Sequence, residues 1–125
     1  MTTTPVRDYA SYVQSARQMQ ARRLSDPQLI ARRERAWDMA RRIAAFLREK
    51  YQPARIVIFG SLLHPEMFHA QSDIDIAVAG LPWPGYLRAW NEVEREFPAF
   101  KVDLIDLGIV APEMREWIDR EGQPL

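Results

Sequence analysis

Over the first fifty positions apolar residues recur at three- and four-residue intervals, the period of a helix with one buried face. Tyr9, Tyr12, Val13, Ala16 and Met19 predict a first helix over residues 6–24. Ser25-Asp26-Pro27 interrupts it, with Asp26 placed as an N-cap and Pro27 as the first residue of a new helix. Ile30, Trp37, Ala40, Ala44, Leu47 and Tyr51 carry the stripe of that second helix to about residue 51, and Pro53 ends it.

From Arg55 the pattern changes. Arg55-Ile-Val-Ile-Phe59 is β-branched and aromatic and closes on Gly60-Ser61, which predicts a buried strand handing over to a turn or helix start. A turn-rich link of twelve residues ends at Gln71-Ser72-Asp73. Asp73-Ile-Asp-Ile-Ala-Val-Ala79 then alternates with a period of two. Successive side chains on a strand point to opposite faces, so Asp73 and Asp75 share one face while Ile74, Ile76 and Val78 share the other. Gly80-Leu-Pro-Trp-Pro-Gly85 reads as a loop, and Tyr86, Leu87, Trp90, Val93 and Phe97 predict an amphipathic helix packed on the sheet. Lys101-Val-Asp103-Leu-Ile-Asp106-Leu is a third strand. Pro112 to Glu121 is a last short helix, with Pro112 near its start, Gly122 just past its end, and Met114, Trp117 and Ile118 as packing residues.

The order of these elements constrains the site. A helix-sized crossover from Pro82 to Phe100 makes the second and third strands parallel, so both begin at one edge of the sheet and Asp103 comes within reach of Asp73 and Asp75. If the first two strands run antiparallel, as a link of this length permits, Gly60-Ser61 arrives at the same edge. Neighbouring anions at the edge of a core repel and resist desolvation, and they are tolerated where a cation or protons neutralise them. Oxygen-rich clusters suit Mg²⁺. A short helix after Ser61 would point free N–H groups at an anion, and Gly60 would let a phosphate approach the backbone closely.

Composition narrows the class. With 125 residues, 47% hydrophobic and 27% charged, the chain is expected to be one soluble domain. Its polar start and the lack of any apolar run near membrane-spanning length argue against export and membrane insertion, and the absence of cysteine fits the cytoplasm. Net charge is zero but unevenly spread: twelve Lys/Arg against five Asp/Glu over residues 1–55, and the reverse over 56–125. Arginines 22, 23, 32, 33, 35, 41, 42 and 48 crowd the two N-terminal helices. They are taken as a solvated face, with nucleic-acid binding open but not favoured, because no groove-reading motif accompanies them. Asp106 has the opposite strand parity to Asp103 and is assigned a loop role. His64 and His69 are left outside the site.

Gly60-Ser61, Asp73-x-Asp75 and Asp103 together resemble the signature of the nucleotidyltransferase superfamily that includes DNA polymerase beta, and the short chain is most similar to its minimal nucleotidyltransferase (MNT) branch. The resemblance implies an α/β (α+β) palm fold, a small mixed sheet packed with helices, over residues 54–125, with residues 1–53 as a helical extension. It implies that Asp73, Asp75 and Asp103 hold two Mg²⁺ ions and carry catalysis, that Gly60 and Ser61 hold the phosphates of ATP, and that AMP or another nucleoside monophosphate is transferred. For this branch it further implies a HEPN-type toxin as partner and protein acceptor, neutralised by addition of AMP to a tyrosine. The chain departs from many relatives in carrying Leu62-Leu63-His64-Pro65 where an Arg and a Gly commonly follow the Gly-Ser pair. The alternatives are therefore an antitoxin or adaptor acting by contact alone, or transfer to a small aminoglycoside-like molecule with a homo-oligomer completing the pocket.

Overall fold

The computed structural model describes residues 5–125, with side chains from residue 9 onward; the polar start at residues 1–4 lies outside the described residues. Two helices lead, α1 over Pro5–Ser25 and α2 over Pro27–Lys50. The break between them is chemical: the Asp26 carboxylate accepts from the Gln28 backbone N–H at 2.9 Å, and Pro27 takes the first-turn position where no N–H partner is needed. At the far end the Tyr51 and Gln52 N–H groups both donate to the Leu47 carbonyl, closing α2 ahead of Pro53. Among the described residues no helix is long and apolar enough to cross a membrane.

Strand β1 (Arg55–Phe59) runs into a single 3₁₀ turn over Gly60–Leu63. Then come β2 (Ile74–Ala79), α3 (Trp83–Glu96), β3 (Val102–Asp106), α4 (Pro112–Glu121) and a two-residue strand, β4 (Gln123–Pro124). The sheet order is β3-β2-β1-β4, with β1 antiparallel to β2 and to β4, and β2 parallel to β3. This is the mixed α/β architecture expected from the alternation of strand-period and helix-period segments.

Parity decides which helices cover which face. Ile56, Ile58, Ile74, Ile76, Val78 and Leu104 point toward α2 and α3, where they meet Ala36, Ala40, Ile43, Ala44, Leu47, Ala89 and Val93 in the larger core. On the opposite face Val57, Phe59 and Ala77 pack with Ile118 of α4 in a smaller cluster. Asp75 and Asp103 belong by parity to that second face, at the end of the sheet that begins β2 and β3.

Two boundaries differ from the sequence expectation. Helix α3 starts at Trp83, inside the segment read as a loop: Pro84 and Gly85 lie in its first turn, where missing or unsatisfied N–H groups cost nothing extra. Its buried stripe is Gly85, Tyr86, Ala89 and Val93, and Tyr86 donates to the Leu104 carbonyl at 2.6 Å, so Leu87 and Trp90 sit at the rim and not in the core. Strand β4 has no hydrophobic alternation to reveal it. It depends on Gly122, where a Cβ would collide with Val57 and with the Ile118 carbonyl, so only glycine lets the chain turn this close to β1.

Candidate active site

The register of the sheet sets the site. Phe59 pairs with Asp75 across the antiparallel β1/β2 ladder, and Asp75 pairs with Asp103 across the parallel β2/β3 ladder. Gly60, the residue after β1, is therefore delivered to the Asp75 side chain. Its φ of +79° lies in the left-handed region, and a Cβ there would overlap the Asp75 carboxylate, with Asp75 Cγ only 3.1 Å away. The Gly60–Leu63 turn has no side-chain cap, and the Ser61 carbonyl accepts from the His64 N–H at 3.0 Å.

Asp75 and Asp103 are both half-buried and stand side by side in register on neighbouring strands. Burial first, then the charges of Asp103 and Asp73, push the Asp75 carboxyl up to about 6, against an opposing pull from Lys101. Asp73 lies one residue ahead of β2 and faces Lys101 Nζ at 3.7 Å. Five sequence-predicted site residues thus lie at one edge: Gly60 against Asp75, Asp75 beside Asp103, Asp73 close enough to be felt by Asp75, and Ser61 in the adjoining turn. Asp106 is elsewhere: its buried carboxylate accepts from the Gly108 N–H at 2.8 Å and shapes the turn after β3. His69 Nδ1 accepts from the Gln71 N–H at 3.1 Å, a local turn bond.

Do these residues suit a metal? Among the described residues no three acidic or histidine side chains are gathered into a ready metal-holding cluster. What is present is a carboxylate pair with a third carboxylate turned to a lysine. The donors are all oxygen, and the raised Asp75 carboxyl marks negative charge that its protein neighbours leave under-compensated, which is chemistry that suits Mg²⁺.

Sequence reasoning missed the supports of this edge. Arg33 Nε donates to the Leu62 carbonyl at 3.0 Å, and Arg23 Nη1 to the Glu66 carbonyl at 3.4 Å. Arg32 Nη2 reaches the Ser72 carbonyl at 3.4 Å while its guanidinium lies 4.6 Å from the centre of the Phe100 ring, so one side chain touches both segments that lead into β2 and β3. Ser72 closes its own turn by accepting from the His69 N–H at 2.8 Å. Three arginines assigned to solvent thus hold the segment between Gly60 and Asp73. The available signal was spacing: Arg32, Ala36 and Ala40 fall at four-residue intervals on the buried stripe of α2. Arg33→Ala is expected to cost about 1–2 kcal/mol through the stranded Leu62 carbonyl and lost stem packing. Hydrogen exchange should quicken across residues 60–72 and stay unchanged in α4.

Comparison with known proteins supplies the context. Residues 41–125 match the family described as polymerase beta, nucleotidyltransferase. Among solved structures, the chain is similar to a toxin–antitoxin structure with AMP-PNP, at 25% identity over 68% of this chain and 70% of that one, with a TM-score of 0.57. It is similar to a protein described as a minimal nucleotidyltransferase, at 28% identity over 78% of this chain and 93% of that one, with a TM-score of 0.54. A complex of a tri-AMPylated Shewanella oneidensis HEPN toxin with an MNT antitoxin shares the fold, at 22% identity over 71% and 70% of the two chains, with a TM-score of 0.53. No curated protein matches the chain.

Proposed function

Since the chain belongs to the polymerase beta nucleotidyltransferase family, we propose that it transfers AMP from ATP to a hydroxyl of a partner protein, as the antitoxin of a toxin–antitoxin pair whose toxin is of the HEPN type. The observation that carries this reading is the register match of Asp75 with Asp103, with Gly60 packed against the same carboxylate. The toxin–antitoxin structure with AMP-PNP supports a nucleotide, and the AMPylated HEPN complex supports the acceptor class.

In the proposed reaction the acceptor oxygen attacks the α-phosphorus, a new P–O bond forms, the α–β bridging bond breaks, and pyrophosphate leaves with the electron pair. Asp75 and Asp103, joined by Asp73 once it leaves Lys101, would hold Mg²⁺. Two bound ions would neutralise the triphosphate and polarise the acceptor hydroxyl. Asp103 stands as proton acceptor from that hydroxyl. Gly60 and Ser61 flank the triphosphate: the bare Cα of Gly60 leaves the turn's backbone open, and the Ser61 hydroxyl offers a donor.

Two measurements test the proposal. Incubation with ATP, Mg²⁺ and the product of the adjacent open reading frame should add mass to that partner in whole multiples of one AMP. An unmodified partner, under conditions where the complex forms, would overturn it. Paired substitution Asp73→Asn with Asp75→Asn separates chemistry from contact: neutralisation that survives it would assign the protein to contact-only inhibition, the reading the Leu62–Pro65 departure favours. For the isolated chain, millimolar Mg²⁺ with ATP should raise the melting temperature, by the equivalent of about 2.7 kcal/mol at a hundredfold excess over Kd.

A further inference from the structure

Lys101 ends the loop into β3 and by strand parity shares a face with Asp103, two residues on. Its backbone is fixed. The Ile74 N–H donates to the Lys101 carbonyl at 3.0 Å, one step ahead of the Ile74/Val102 pair that opens the parallel ladder. That bond sets the lysine beside the residue before Ile74, and Lys101 Nζ lies 3.7 Å from Asp73 Oδ2. The edge therefore carries two neighbouring rungs of opposite kind. Asp75 faces Asp103, anion beside anion, and Asp73 faces Lys101, anion beside cation.

The Lys101 side chain is 73% exposed and that of Asp73 30% exposed. An ammonium on a flexible stem in water is held loosely, and such a pair contributes little to the stability of the fold. Its effect is local charge, which reaches Asp75 as well as Asp73. A dication that takes Asp73 as a ligand has to displace this ammonium, because two cations beside one carboxylate repel. The displaced ammonium needs a new anion. The sheet order puts Gly60 at the end of β1, the acids of β2 in the middle and Lys101 at the start of β3. Strands β1 and β3 lie about 10 Å apart across β2, a gap that a triphosphate and a lysine stem together span.

We propose that Lys101 exchanges partners during binding, held by Asp73 before metal and nucleotide arrive and by a phosphate of the nucleotide once Asp73 joins the metal ligands. The inference rests on the nucleotide chemistry proposed above. It makes Lys101 a binding residue and gives the site an order: metal alone works against Lys101, whereas metal and nucleotide together give Asp73 and Lys101 each a counter-charge.

Two affinities of the full chain test it, measured in about 0.5 M KCl, where charges more than a few ångströms apart are screened. Mn²⁺, which suits the same oxygen ligands as Mg²⁺, is titrated alone and followed by electron paramagnetic resonance. The α,β-methylene analogue of ATP, whose α–β bridge cannot be cleaved, is titrated by calorimetry in the presence of Mn²⁺. Lys101→Met should bind Mn²⁺ alone about two- to fivefold more tightly, the release of one exposed ion pair. It should bind the analogue about tenfold more weakly, the loss of one hydrogen bond between charged groups. Lys101→Arg should keep both affinities near those of the wild type. The opposite signs identify the exchange. Weakening of both affinities would make Lys101 a structural prop, and no change in either would make it a bystander; each overturns the inference and leaves the proposed function standing. A wild-type chain that binds no analogue in the presence of Mn²⁺ overturns both.

Discussion

Asp75→Asn is expected to make the metal-free protein more stable while lowering AMP transfer by about 10³-fold or more. The two effects share one cause. Burial and the neighbouring Asp103 and Asp73 push the Asp75 carboxyl up to about 6, whereas in the unfolded chain it titrates near 3.9. A carboxyl with a raised folded-state value binds its proton more tightly in the native state. Its contribution is therefore neutral below about pH 4, turns destabilising as pH rises to about 6, and is constant above that. Solvent reaches this edge, so the penalty is on the order of 1 kcal/mol once screening is allowed for, or roughly 3–5 °C in melting temperature for a domain of this size. Asparagine keeps the shape and carries no charge. Calorimetry in chelator at pH 4 and pH 7.5 reads the difference: the wild type should lose stability relative to the variant between the two, and parallel profiles would show that Asp75 carries no excess charge.

Much of this edge was legible in the sequence because strand parity and connection length are geometric facts. Asp75 must point to the face opposite Ile74 and Ile76, a helix-length crossover makes β2 and β3 parallel, and the two together bring Asp103 into register with Asp75, whereas Asp73 falls just ahead of β2 and turns to Lys101. Asp26-Pro27 was equally legible, since a cap and a first-turn proline act through neighbouring backbone groups. The joint spacing of Gly60-Ser61, Asp73-x-Asp75 and Asp103 pointed to the family that residues 41–125 match.

What was not legible depended on contacts between distant parts of the chain. Arg32 and Arg33 look like any helix-surface arginines until the carbonyls of Ser72 and Leu62 are set beside them, 40 and 29 residues along the chain. Strand β4 exists because Gly122 fits against Val57 and not because Gln123-Pro124 favours extension. The start of α3 was obscured by weighting Pro84 and Gly85 as breakers when the first helical turn tolerates both. The α1 stripe was correctly read as helical, yet periodicity says only that a face wants cover, not what covers it.

The largest loss of stability is expected at Gly60→Ala. A side chain at φ +79° costs about 1 kcal/mol by itself. The new methyl would also land on the Asp75 carboxylate, with Asp75 Cγ at 3.1 Å. Relief requires Asp75 or the turn itself to shift within a packed edge, adding about 1–3 kcal/mol of overpacking. The sum, about 2–4 kcal/mol, lowers the melting temperature by roughly 10 °C and dismantles the carboxylate pair. A double-mutant cycle isolates the contact. In an Asp75→Ala background the collision is gone, so Gly60→Ala should cost only its backbone share, leaving a coupling of about 1–3 kcal/mol. Additive effects would mean that Gly60 is required for its own dihedral angle and not for the approach of the turn to Asp75.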